Sequence, residues 1–252
     1  MPTFMLFYIL VFLYGIIFGS FCNVCIYRIP EGQSIVNVPS HCMKCGRRLR
    51  WYELIPVFSW IALRGRCRTC KAPISAQYPI IEAGNGLLWC LVFAVNGWNW
   101  TSVLFCAMTS ALLVLSVIDG RTHEIPPGIN IFLLVIGLIR LGLDYTDWPL
   151  YVIGLISVSA FLAAIFYASK GKAIGGGDVK MMAACGLILG WKCIILAFVI
   201  GCILGSVIHL CRMKISGAEH VLAMGPYLAA GVFISALWGN QMITWYLSTM
   251  GI

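Results

Sequence analysis

From Phe4 to Tyr27 the chain runs for 24 residues without a charged side chain, and further apolar runs follow it along most of its length. A helix needs about 20 apolar residues to cross the hydrocarbon core of a bilayer. On that ruler spans are expected near 4–27, 80–96, 100–118, 129–146, 149–168, 180–191, 193–210 and 221–248. The expected fold is an all-α polytopic membrane protein with about eight transmembrane helices. Composition agrees: 61% of the 252 residues are hydrophobic and only 10% are charged, where a soluble domain carries about 25% charged residues. No Lys or Arg precedes the first run, and it continues into Gly19-Ser20-Phe21-Cys22-Asn23-Val24 before ending at Arg28. A secretory signal wants a basic start and a shorter apolar core, so this run reads as a retained first span.

The formal net charge of +8 points to orientation rather than to a nucleic-acid partner. Nine of the 17 Lys and Arg residues lie between Arg28 and Lys71. With the N-terminus outside, the inward-facing segments are 28–79, 119–128, 169–179 and 211–220. Counting Lys180 at the boundary, they carry 15 of the 17, leaving Arg140 and Lys192. Basic residues concentrate on the cytoplasmic side of membrane proteins. The expected partner is therefore membrane lipid, with no nucleic acid, and residues 28–79 are expected on the cytoplasmic side. Three parts follow: a first transmembrane helix over 1–27, a small cytoplasmic domain over 28–79, and a transmembrane core over 80–252. Two glycine pairs, Gly15/Gly19 and Gly201/Gly205, have the spacing that lets helices approach closely. No tandem repeat is evident.

Eight of the 12 cysteines are scattered through apolar runs, where a thiol acts as a small hydrophobe. The other four form Cys42-Met43-Lys44-Cys45 and, 21 residues on, Cys67-Arg68-Thr69-Cys70. Two such knuckles set four thiolates around one structural Zn²⁺. Disulfides would use the same residues but are disfavoured in the cytoplasm, and a redox pair needs no second copy. About fifty loop residues are few for an unaided core, so a staple is expected there. His41, His123, His209 and His220 have no metal-ligand spacing.

Two aspartates stand at the ends of apolar runs. Asp119 closes Leu112–Ile118, and Asp178 follows Gly175-Gly176-Gly177 and precedes Val179-Lys180. In the topology above both lie at the cytoplasmic border, where ionisable groups are functional candidates. An isolated Asp at a helix start is often only a cap. Two carboxyls brought together divide the work: one stays ionised and takes a proton from water, while the other stays protonated and hydrogen-bonds the scissile carbonyl. The glycines allow close backbone approach.

With these residues the chain resembles the bacterial type IV prepilin peptidases, aspartic enzymes with a G-x-G-D motif. Gly175–Lys180 is similar to the second catalytic motif of that family, with Gly175, Gly176, Gly177 and Lys180 as its supporting residues. Asp119, in an Asp-x5-Ile-Pro frame, is similar to the first. Gly19–Pro30, the double Cys-x-x-Cys loop, Ile55-Pro56, Gly65-Arg66-Cys67 and Tyr78-Pro79-Ile80-Ile81-Glu82 resemble the amino-terminal region of bifunctional members. One departure is Ile125-Pro126-Pro127, where the family usually has Ile-Pro-Asp; Glu124 is the neighbouring carboxylate. The resemblance implies cleavage of a prepilin or pseudopilin leader at the cytoplasmic face, and methylation of the new N-terminus with S-adenosylmethionine. Nothing in composition or spacing points to the methyl donor, for which Asn23, Arg28 and Glu82 are the candidate contacts. The alternative class is a transporter or channel carrying a zinc-binding module, since transporters also bury acids among broken helices.

Overall fold

A computed structural model describes residues 2–216 and 223–251 of the chain; His220 and the neighbouring residues 217–219 of the expected inward segment 211–220 lie outside them. The described residues are helical, with two isolated antiparallel bridges and no named strand. In chain order the helices are α1 (Pro2–Arg28), the short α2 (Phe58–Ala62), α3 (Gln77–Asn96), α4 (Trp100–Thr122), α5 (Pro127–Leu143), α6 (Trp148–Ala168), α7 (Gly176–Leu189), α8 (Trp191–Ser216) and α9 (Gly225–Thr249). A helix thus stands at each of the eight expected span positions. Five, namely α1, α3, α4, α8 and the stretch Tyr145–Ala168 containing α6, are long and apolar enough to cross a membrane, and α5 is a shorter apolar helix.

The chain divides into two compact units, residues 1–97 and 98–252. In the first, α1 packs along α3. Their backbones meet at glycines: a Cβ on Gly15 would stand 2.6 Å from Gly86 Cα, and one on Gly19 would stand 2.7 Å from Glu82 Cα. Association in lipid relies on such close packing rather than on hydrophobic exclusion. Asn85 adds a buried hydrogen bond, donating Nδ2 to Gly15 O at 2.8 Å. The connection between the two helices holds a 3₁₀ turn (Trp51–Leu54), α2 and the cysteine loops.

In the second unit α7 is the inner helix, packed on α5, α6 and α8 and touching α9. Its 14 residues extend about 21 Å at 1.5 Å per residue, short of the ~30 Å hydrocarbon core. It is nonetheless lined with fully enclosed side chains, among them Met181, Met182, Cys185 and Ile188. Gly154 of α6 and Gly186 of α7 lie in backbone contact, with no room for a Cβ on either. On α5 the buried residues Ile129, Asn130, Leu133, Ile136 and Gly137 follow helical spacing. Ile131, Phe132, Val135 and Leu138 on its other faces are exposed and as apolar as the packed face. Gly201 of α8 meets α9, where a Cβ would come to 3.0 Å from Leu228 Cα.

Candidate active site

Asp119 sits in the last turn of α4 and is 5% exposed. The helix stops four residues on, because His123 takes a left-handed conformation (φ 55°) and returns its N–H to Asp119 O. Pro126 then turns the chain, and Pro127 occupies the first turn of α5. A proline is suited to that place, since its missing N–H would have no helical partner. The departure from the family pattern is thus absorbed as a helix start, and Glu124 is exposed.

Asp178 sits in the first turn of α7 and is 8% exposed. Gly175 is the extended residue just before the helix. The three glycines are not equivalent. A Cβ on Gly177 would stand 2.7 Å from Ile125 Cβ, and one on Gly175 would stand 3.1 Å from Asp178 Oδ2, whereas one on Gly176 would make only ordinary contact with Phe166. Lys180 is exposed on the next turn.

The two carboxyl groups lie within electrostatic reach, the Asp119 charge acting directly on Asp178. Asp119 also meets a backbone donor: Gly225, at the start of α9, donates its N–H to Asp119 Oδ2 at 2.9 Å. Asp178 Oδ1 is buried and has no partner. Reading the sequence alone missed Gly225; its only trace there is Met224-Gly225-Pro226 opening the last apolar run. It also missed Asn130, buried in the first turns of α5, whose Nδ2 donates to Gly177 O at 3.3 Å.

The cysteine loops form the second centre. Cys42, Cys45, Cys67 and Cys70 come together with all four sulfurs within 4.8 Å of one another. Cys42 Sγ and Cys70 Sγ are 3.8 Å apart, the edge expected of a tetrahedron with arms of about 2.3 Å, the Zn–S length. Both loops have one hydrogen-bond pattern. Cys42 N–H donates to Arg47 O, Gly46 N–H to Cys42 O and Leu49 N–H to Ser40 O; Cys67, Lys71 and Ile74 repeat this with Ala72, Cys67 and Gly65. Gly46 and Lys71 hold equivalent left-handed positions (φ 68° and 58°). The knuckles are therefore a structural repeat that the sequence does not announce. Backbone N–H groups of Cys70 and Thr69 pull the Cys67 thiol down to about 6, and those of Cys45 and Lys44 lower Cys42. Cys70 receives the Ala72 N–H, but burial and the neighbouring sulfurs carry it up to about 11. Beside this centre Arg47 pairs with the enclosed Glu53 at 2.7 Å.

The polar residues expected to meet a methyl donor have local roles. Glu82 Oε2 accepts the N–H of Val57 at 2.7 Å, a residue held at φ 63°. Arg28 donates to Ser34 O and Val38 O. Asn23 donates to Tyr78 O at 3.1 Å, and its Oδ1 is buried without a partner.

Two families of known proteins match these two regions. Residues 13–96 match the bacterial Peptidase A24 N-terminal domain, and residues 106–210 match the type IV leader peptidase family. The chain belongs to the type IV leader peptidase family. Similar relatives include a protein of Pseudomonas putida, 31% identical over 94% of this chain and 92% of its own length. One of Aeromonas hydrophila is 33% identical over 96% and 94%, and one of Burkholderia pseudomallei (strain 1026b) is 33% identical over 90% and 84%. Each is named prepilin leader peptidase/N-methyltransferase. These relatives lend no support to a transporter. No solved structure matches the chain.

Proposed function

We propose that this chain is an aspartic endopeptidase of the inner membrane that removes the leader from type IV prepilins or type II secretion pseudopilins and then methylates the new N-terminus. The observation that carries the reading is the pair Asp119 and Asp178, both buried at helix ends, with the Asp119 charge acting on Asp178. A buried carboxyl pair cannot easily hold two charges. The Gly225 N–H at Asp119 Oδ2 favours the anion there, so Asp119 takes the base's part and Asp178 keeps its proton. Asp119 removes a proton from water as the water oxygen attacks the scissile carbonyl carbon. Asp178 donates to the carbonyl oxygen as that oxygen gains charge. When the tetrahedral species collapses, the C–N bond breaks and the proton on Asp119 passes to the departing nitrogen. Gly175 and Gly177 keep the turn thin beside Asp178 and Ile125, Gly176 continues it, and Lys180 adds positive charge to the rim.

The charge bias places residues 28–79 in the cytoplasm and the ends of α4 and α7 at the cytoplasmic border. There a prepilin's basic leader meets the site while its apolar stalk stays in lipid. We assign residues 1–27 to the first span, 28–79 to a cytoplasmic zinc module, and 80–252 to the remaining spans with the peptidase site. Cys42, Cys45, Cys67 and Cys70 fit Zn²⁺: four sulfurs within 4.8 Å of one another, with Cys42 and Cys70 at 3.8 Å, and N–H donors that stabilise thiolate. The ion is structural there, with all four positions closed by protein.

S-adenosylmethionine would supply an electrophilic methyl group to the new amine. Asn23 Oδ1, a buried acceptor without a donor, and Glu82 fit the cationic parts of such a molecule. Arg28 is engaged on two loop carbonyls and positions that loop. The test is incubation of the purified chain in detergent with a synthetic prepilin, with and without methyl donor, followed by mass spectrometry of both products. Cleavage without donor and a gain of one methyl with it are expected. An uncut peptide would refute the reading.

A further inference from the structure

Asn130 has one half of its amide satisfied and the other half not. Nδ2 donates to Gly177 O at 3.3 Å. Oδ1 is buried without a partner in a residue only 6% exposed. Turning the amide over would set Oδ1 against the Gly177 carbonyl oxygen, two acceptors face to face, so the hydrogen-bond network fixes which end is which. An unpaired buried acceptor is costly, and natural structures keep few of them. One residue beyond Gly177, Asp178 Oδ1 is in the same condition. Two acceptors beside one glycine turn therefore await donors that the described residues do not supply.

We infer that Asn130 is a substrate-binding residue of the peptidase site, its Oδ1 accepting a backbone N–H of the prepilin beside the scissile bond while its Nδ2 holds the glycine turn. The inference rests on the peptidase reading above. A peptide bond reaches an aspartate pair only when its strand is extended, and a segment drawn out of a helix near lipid carries N–H groups that have lost their partners. At the edge of a bilayer water does not fully replace those partners, and protein acceptors must. Asn130 Oδ1 is such an acceptor, fixed from below through the turn that carries Asp178. Its amide has no charge to compete with the carboxyl pair, so it binds the peptide without disturbing the division of protonation between the aspartates. Neither chemistry nor metal is asked of it.

The test is a cycle between enzyme and substrate. Synthetic prepilins, each with one backbone amide N-methylated near the cut, are given to the full-length parent, Asn130→Ala and Asn130→Thr. For one position the parent should lose about ten- to hundredfold in kcat/KM. Asn130→Ala should show a comparable loss on the unmodified peptide and little further loss on that methylated one. Asn130→Thr, whose hydroxyl both donates and accepts, should recover part of the rate, and it replaces the Ala variant if that one does not fold. If every methylated peptide slowed parent and variant by equal factors, a purely structural amide would be left and the inference overturned. A parent unable to cut the unmodified peptide would instead sink the peptidase reading, and this inference with it.

Discussion

Gly225 and Asp119 are 106 residues apart in sequence and joined by one short hydrogen bond, from the backbone N–H that opens α9 to a carboxylate oxygen near the end of α4. The contact has no room to spare: a Cβ on Gly225 would stand 2.7 Å from Asp119 Oδ2. The last helix of the chain is thereby tied to an aspartate in the first helix of its unit. The tie acts on the oxygen that the proposed mechanism needs ionised.

Gly225→Ala should displace that carboxylate rather than unfold the helix, since alanine is the better helix former. Misplacing a reacting group by about 1 Å costs on the order of a hundredfold in rate. The expected outcome is a fall of that size in kcat with KM little changed. Gly142→Ala, whose added Cβ meets open space, should leave the rate alone. Steady-state kinetics on both, with thermal unfolding to confirm folding, makes the check. Parental kcat in Gly225→Ala would remove the bond from the mechanism.

The knuckles predict one tightly held zinc per chain. Metal analysis after purification without added metal should approach unit stoichiometry. Cys42→Ser and Cys67→Ser should both lose metal and leave the 28–79 module open to protease, because structural zinc contributes folding free energy directly. Full zinc in both variants would end the assignment.

Much of this was legible in sequence, for physical reasons that differ by element. Apolar runs of spanning length announce helices, and Gly15 and Gly19 announced a close contact that the structure places on Gly86 and Glu82. The four knuckle cysteines could be grouped because metal chemistry restricts both residue type and spacing. What stayed hidden was pairing. In the structure α3 packs along α1 within one unit, a pairing that nothing in the sequence shows. Periodicity gives no warning, because lipid-facing and packed faces are equally apolar. Gly225 acts through a backbone N–H, which no side-chain pattern reveals. Asn130 stands alone in Gly128-Ile129-Asn130-Ile131-Phe132, where only three dimensions show what its amide reaches. The repeat of the two knuckles is carried by hydrogen bonds, with little more than the cysteines in common.

Orientation makes a third prediction. Val36 is 82% exposed and Tyr145 is 76% exposed, and by the charge bias they face opposite sides of the membrane. Val36→Cys and Tyr145→Cys, each in a chain with the exposed Cys211 replaced by Ser, can be probed in spheroplasts with an impermeant thiol reagent. Tyr145→Cys should label in intact spheroplasts, and Val36→Cys should label above the background of the native thiols only after lysis. The reverse pattern would invert the chain and put both aspartates on the wrong side for a leader that stays in the cytoplasm.

The last prediction concerns Asp119 and Asp178 as a unit. Neither carboxyl has a partner task of its own: one supplies the base and the other the proton, and a water between them needs both. Groups that act together are far from additive, so either single loss should cost nearly as much as both. Asn keeps the size and a hydrogen-bonding oxygen, so Asp119→Asn can still accept from Gly225, and both variants should fold and retain the knuckle metal. Peptidase activity should fall to background in Asp119→Asn and in Asp178→Asn, and no further in the double variant. Methylation offered on a pre-cut peptide should persist in all three, since Asn23, Arg28 and Glu82, the residues assigned to the donor, are unchanged. Serine- and cysteine-directed inhibitors should leave the initial cleavage rate intact, because no hydroxyl or thiol attacks the substrate. A folded single variant cutting at anything near the parental rate would break the dyad, and residual rates that multiplied in the double variant would mean that the two acids act apart.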